Sequence, residues 1–185
     1  MGKALDVLLG RKSSKLSSLL EHAITRNSYL KNRQQALFSI SQSDVIQLLN
    51  LGHQEQALLR VEHVIKSKNM LDAFDMIESY CHLLKQNMSL IEKNKDCPDD
   101  LKEAIGSLIY ASSRFGVFPE LLHIRDFFSS KFGQEFVSQS LDSPRNFGVN
   151  EKIIQKLSRR KPSLETQMSF LREIASNNGI SLQLR

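Results

Sequence analysis

Five histidines, two cysteines and two close carboxylate pairs are the side chains of this sequence suited to catalysis or metal binding. A helical zinc site takes two histidines four positions apart on one face, with a carboxylate beside them. His63 follows Glu62, but no second His or acid sits four residues from it. Together with His22, His53, His82 and His123 it reads as a packed or half-exposed structural residue. Cys81 and Cys97 lie 16 positions apart with no C-x-x-C partner. That predicts two free thiols in a reducing compartment. Asp72 and Asp75 read as a solvated helix face, and Asp99 and Asp100 as a helix start, rather than as a general acid–base pair. The chain contains no G-x-G-x-x-G, no G-x-x-x-x-G-K, no G-x-S-x-G and no H-E-x-x-H. A non-enzymatic protein with no cofactor and no metal is expected.

Charge offers more than catalysis does. Residues 1–35 hold seven basic side chains and two acidic ones, and residues 36–185 hold eighteen of each sign. The whole formal excess of +5 therefore sits at the N-terminus. Lys12, Lys15, Arg26, Lys31 and Arg33 form the candidate membrane or assembly face, suited to an acidic membrane or an acidic protein surface. Only Tyr29 and Phe38 accompany them as aromatics, so base stacking is poorly served and no nucleic acid is expected. Residues 4–9 are mostly apolar and read either as a disordered tail or as a small amphipathic wedge. Asp6 stands where N-myristoylation wants Ser or Thr, so lipidation is not expected. No apolar run reaches the roughly 20 residues of a membrane span, and no signal peptide is recognisable. The expected place is the cytoplasm.

These residues must be positioned by helices. Gly (8) and Pro (4) are scarce, and period-two runs of β-branched residues are missing. From about Arg11 to Leu49 nothing breaks a helix, and Leu16, Leu19, Leu20, Ala23, Ile24, Leu30, Leu37 and Ile40, then Val45, Ile46, Leu48 and Leu49, recur at a spacing of mostly three and four as one apolar stripe. Asn27 and Gln34 weaken the middle of that stripe. Gly52 is the first credible stop. A second stripe runs from about Gln54 to about Lys93 through Val61, Val64, Leu71, Phe74, Ile77, Cys81, Leu84, Met88 and Ile91. Two long helices joined at one glycine turn fold back as an antiparallel pair. Phe74 should be buried in it.

Shorter helices follow. One runs from the acids around Pro98 to about Ser112, with Leu101, Ile105, Leu108 and Ile109 inward. Another starts at Pro119 and ends near Lys131, and Phe136 and Val137 allow one more short turn. Residues 142–148 read as a loop. Asn150 caps a helix carrying Ile153, Ile154 and Leu157, and Ser163 caps a last one ending near Asn178. The fold class is all-α: a long antiparallel helical hairpin with three to four shorter helices packed on it. Residues 1–10 form a short apolar and basic segment and residues 11–185 a single helical domain.

Four strings, in order, carry a resemblance: Arg60-Val61-Glu62-His63-Val64-Ile65, Ser79-Tyr80-Cys81-His82-Leu83-Leu84, residues 149–158, and Phe170-Leu171-Arg172-Glu173-Ile174-Ala175. Over residues 3–182 the chain resembles the N-terminal domain of the increased-sodium-tolerance (Ist) family, ESCRT-III-like regulators of multivesicular body sorting. The resemblance implies a protein that binds ESCRT-III subunits of the charged multivesicular body protein type. It also implies regulation of the pathway's AAA ATPase, with its cofactor, peripherally on endosomal membranes. Glu21, Asn27, Asn32 and Asp44 dilute the first helix relative to the family. The family's motif for the ATPase's helical adaptor domain is not found in these 185 residues. The competing expectation is a generic helical adaptor that binds one amphipathic peptide without polymerising.

The resemblance further implies that the domain receives a partner's amphipathic helix. The last helix shows two apolar faces, Leu164, Met168, Leu171 and Ala175 on one, and Phe170 and Ile174 on the other. The second face, with Lys156 and Arg172 nearby, is the candidate partner-helix groove; the alternative is that both faces are internal. Arg60, Glu62 and His63 flank the buried stripe near the hairpin tip, and Arg60 or Glu62 is expected to hydrogen-bond onto the shorter helices.

Overall fold

The computed structural model describes the backbone of residues 2–183 and side chains from Lys15 onward. Among the described residues there is no strand. The first long helix, α1 (Gly2–Asn50), starts nine residues earlier than the sequence pattern indicated. It is followed by α2 (Gln54–Gln86). The turn between them is a Schellman closure: the Gly52 amide donates to the Leu49 carbonyl at 3.0 Å and the His53 amide to the Leu48 carbonyl at 2.9 Å. Gly52 adopts φ +79°, which is open to glycine at little cost. Among the described residues the shorter helices are α3 (Met88–Lys93), α4 (Asp99–Ser112), α5 (Pro119–Phe132), α6 (Gln134–Asp142), α7 (Pro144–Phe147), α8 (Glu151–Lys156) and α9 (Leu164–Asn177). This is the expected all-α hairpin fold with its shorter helices more finely divided.

Two differences have local causes. The second stripe does not continue as one helix to Lys93. At Asn87 the backbone turns to φ −114°, ψ 24°, and the side-chain amide takes the Leu83 carbonyl at 2.8 Å. An asparagine that offers its own donor to the preceding turn competes with the helical ladder, so α3 begins afresh. Residues 142–148 are not a plain loop either. Pro144 suits the first helical position, and Gly148 at φ +105° closes the single turn of α7, with the Val149 amide on the Pro144 carbonyl at 2.9 Å.

The chain divides into two compact units, 1–29 with 73–157, and 30–72 with 158–185. The first is built around α4, of which Leu101 and everything from Ala104 to Ser112 is buried. More of α4 is inside than Leu101, Ile105, Leu108 and Ile109 because other short helices pack around it. α1 adds Leu16, Leu20 and Ala23, α2 adds Ile77, Cys81 and Leu84, and α5 adds Leu121, Ile124 and Phe128. Phe74 is 2% exposed and stacks on Phe115 at 5.2 Å. Asn27, the weak point of the first stripe, is fully buried and donates from Nδ2 to the Phe74 carbonyl at 2.9 Å, while its Oδ1 has no partner. Asn150 fastens α8: Oδ1 caps the Lys152 amide at 2.8 Å, and the backbone amide donates to Ser107 Oγ at 3.2 Å. Tyr80 donates to Glu103 at 3.3 Å; burial pushes its hydroxyl up to about 12.

In the second unit, Val45 and Leu49 of α1 meet Ala57, Val61, Val64 and Ile65 of α2, and Leu171, Ile174 and Ala175 of α9 close the core. Ser163 Oγ caps α9 by accepting the Thr166 amide at 3.2 Å.

Candidate functional site

α9 reaches the core through one face and leaves a gap beside it. Leu171, Ile174 and Ala175 are buried, and Phe170 packs half-buried against the same cluster. Phe170 and Ile174 then line an open groove of about 460 Å³ together with Phe38 and Ile46 of α1. Lys68 of α2 and Glu173 of α9 also line it. Lys68 pairs with Asp72 at 3.1 Å.

The two-face description of α9 needs correction. Ile174 is only 6% exposed and belongs to the core, whereas Leu164, assigned inward, is 64% exposed. Three buried positions at 171, 174 and 175 fill one helical face, and Leu164, in the first turn, lies beyond the reach of that cluster. Of the four groove residues expected, the structure brings Phe170 and Ile174 together. Arg172 is exposed and does not line the groove. Lys156 ends α8 in the other unit, where it has an interaction of its own. Sequence reasoning missed Phe38, Ile46 and Lys68. Their signal was present as flanking positions of the two long stripes, but only the placement of α9 shows which flank it leaves open.

The basic residues expected along α1 have different surroundings. Lys31 and Arg33 are two positions apart and so leave α1 in nearly opposite directions. Arg26 is bound to Glu120 of α5 at 2.9 Å, a tie between two helices of its unit. Lys31 is half-buried and engaged. Lys15 and Arg33 are exposed. The side chains of Lys12 and of residues 4–9 lie outside the described residues.

The bond expected from Arg60 or Glu62 to the shorter helices is not made. Glu62 pairs within its own helix with Lys66 at 3.0 Å, one turn on. That bond, more than the nearby charge of Lys161, holds its carboxyl below the usual range. Arg60 and His63 are exposed and make no hydrogen bond or ion pair among the described residues.

Among the described residues no three His, Cys, Asp or Glu side chains converge as for a metal ion. No helix among them is long and apolar enough to cross a membrane. Cys81 is buried and Cys97 half-buried, both as free thiols. Burial raises them to about 12 and about 11, respectively, which leaves little thiolate for nucleophilic work near neutrality.

The family described as Ist1, regulator of Vps4 activity in the MVB pathway, matches residues 17–181. An IST1-like protein of Dictyostelium discoideum is 32% identical over 163 residues, covering 88% of this chain and 44% of that protein. Vacuolar protein sorting-associated protein IST1 of Saccharomyces cerevisiae is 32% identical over 169 residues, covering 87% of this chain and 56% of that protein. The chain thus spans about half the length of the curated relatives it matches. Among solved structures, the S. cerevisiae Ist1 N-terminal domain in complex with the Did2 MIM motif is similar with a TM-score of 0.79 and 30% identity, over 92% of this chain and 94% of that one.

Proposed function

This chain belongs to the Ist1 family, and from that membership we propose that it is a non-enzymatic, ESCRT-III-like regulator of Vps4 in the multivesicular body pathway. In this reading it receives an amphipathic helix from ESCRT-III subunits of the charged multivesicular body protein type. Captured subunits are withheld from, or presented to, the AAA ATPase and its cofactor at the endosomal membrane. The observation that carries the reading is the open groove beside α9. Phe38, Ile46 and Phe170 offer apolar anchors, and Lys68 and Glu173 offer one charge of each sign. A helix-in-groove site needs that combination of apolar seat and charged rim. A similar domain is known with a MIM motif bound, which supports the same use here. Exposed Lys15 and Arg33 support contact with an acidic membrane or a neighbouring subunit.

The test is Phe170→Asp, followed by circular dichroism for folding and by titration with a charged multivesicular body protein tail. Ile174 is left untouched because its loss would damage the core. We expect a folded protein whose affinity drops at least tenfold, as for a desolvated aromatic anchor. Lys68→Glu, at the groove rim, gives a second handle if Phe170→Asp disturbs α9. Full binding by both variants refutes the groove.

A further inference from the structure

The segment leading into α9 reads Ser158-Arg159-Arg160-Lys161-Pro162-Ser163-Leu164. It holds three cations and no acid. From Ser158 to Ser163 the backbone is neither helix nor strand, and every side chain except the half-buried Pro162 is exposed. Leu164 follows at 64% exposed, although Leu171, Ile174 and Ala175 of the same helix are buried. An exposed, irregular stretch of this kind fits an enzyme cleft that reads side chains one by one along an extended chain. Arginine stands three places before a serine or threonine at two positions of the sequence, Ser14 and Ser163. Ser14 is followed by Lys15, and its backbone is inside α1. Ser163 is followed by an apolar residue, has Lys161 two places before it, and sits outside the helix as its N-cap.

We propose that Ser163 is a phosphorylation site for a protein kinase that reads basic residues three and two places before the acceptor and an apolar residue after it. Acidic subsites in such a cleft select Arg160 and Lys161 by charge, and an apolar subsite takes Leu164. The co-substrate is ATP. The Ser163 hydroxyl oxygen attacks the γ-phosphorus, the bond from that phosphorus to its bridging oxygen breaks, ADP leaves, and the hydroxyl proton passes to the kinase's catalytic aspartate. The product changes the start of α9. Ser163 Oγ accepts the Thr166 amide at 3.2 Å and lies 2.9 Å from Thr166 Oγ1. The phosphate ester adds a charge of about −1.5 to −2 and three acceptor oxygens there. Free amides and the helix dipole favour an anion at that end, and Arg159, Arg160 and Lys161 lie two to four positions back, against one acid, Glu165, in the first turn. The modification therefore fastens α9, whose buried residues close the core of the second unit. This inference needs nothing from the α9 groove, because labelling and helix protection are both read without a partner.

The experiment treats the folded 185-residue chain with Mg-ATP and the catalytic subunit of the cyclic-AMP-dependent kinase, which has this preference, and locates phosphate by mass spectrometry. Phosphate on Ser163 is expected. Arg160→Ala with Lys161→Ala should slow its labelling at least tenfold at an unchanged melting temperature, and Leu164→Gln should slow it severalfold. Should the alanine pair melt early, Arg160→Gln alone carries the same comparison. Ser163→Thr keeps both cap and acceptor and should still take phosphate. On phosphorylation, hydrogen exchange of amides 167–175 should slow roughly two- to fivefold, as one anion at a helix start produces. Ser163 left bare, whatever else is labelled, overturns the site, and so does labelling indifferent to Arg160 and Lys161. Phosphate on Ser163 with exchange in α9 unchanged or faster overturns the fastening of the helix.

Discussion

Replacing Phe74 by alanine tests the packing of the first unit at its most concentrated point. The ring is 2% exposed and stacks on Phe115 at 5.2 Å, with Phe118 6.0 Å beyond. Truncating a buried phenylalanine removes its transfer energy and leaves a void, which together cost about 3–5 kcal/mol. For a chain of this size each kcal/mol lowers the melting temperature by roughly 2–4 °C, so a fall of roughly 6–20 °C is expected. Phe74→Leu refills most of the void and loses mainly the ring stacking, about 1 kcal/mol. The assay is thermal and urea unfolding by circular dichroism, with Phe115→Ala and the double variant completing a cycle. A coupling of about 0.5–1.5 kcal/mol between the rings is expected. A melting temperature for Phe74→Ala within about 3 °C of the parent would refute the assignment of this stripe to the core.

Gly106→Ala should destabilise despite alanine's better helix propensity. A Cβ there would stand 2.6 Å from Cε1 of the buried Phe147 ring, and such overpacking costs about 1–3 kcal/mol. Adding Phe147→Leu should recover part of the loss in urea unfolding. Ser163→Ala removes the α9 cap and should cost about 1 kcal/mol, whereas Ser163→Asp should hold stability because a carboxylate accepts the same amide and suits the helix start. For the thiols, a folded pKa raised above the unfolded one means that stability is undiminished below pH 9 and falls as pH climbs toward about 12 at Cys81. Iodoacetamide at pH 7.5 should accordingly label Cys97 slowly and Cys81 only after unfolding, read by mass spectrometry.

The long stripes were legible because three-four spacing is a local property that burial in a hairpin preserves. Leu16, Val61, Phe74 and Ile77 are inside as their positions require. The caps were legible for the same reason, since Asn150 and Ser163 act within three residues of themselves. What escaped depends on distant partners. Asn27 looked like a flaw in a stripe, and its use lies in a carbonyl 47 positions away. Arg26 looked like part of a basic face until Glu120, 94 positions on, claimed it. Ile174 could be placed on a second surface of α9 because a lone helix cannot show how broad a face its neighbours will cover. The break at Asn87 was missed for a local reason, since an asparagine mid-stripe reads as a solvated position until its side chain is seen on the Leu83 carbonyl.

Asn27 also limits how the two long helices can be assembled. Stripes of repeated three-four spacing match one another almost as well after sliding by one turn, so apolar contact alone distinguishes poorly between alignments. A slide would carry Nδ2 away from the Phe74 carbonyl and leave both polar ends of the amide unmatched in an apolar interior. A buried donor stranded in this way costs about 1–3 kcal/mol. At the middle of that range, the slipped form falls by roughly thirtyfold. Asn27→Leu should therefore leave the chain as stable as before or slightly more so, yet with several alignments in exchange. Broadened methyl resonances would reveal them before any melting curve does.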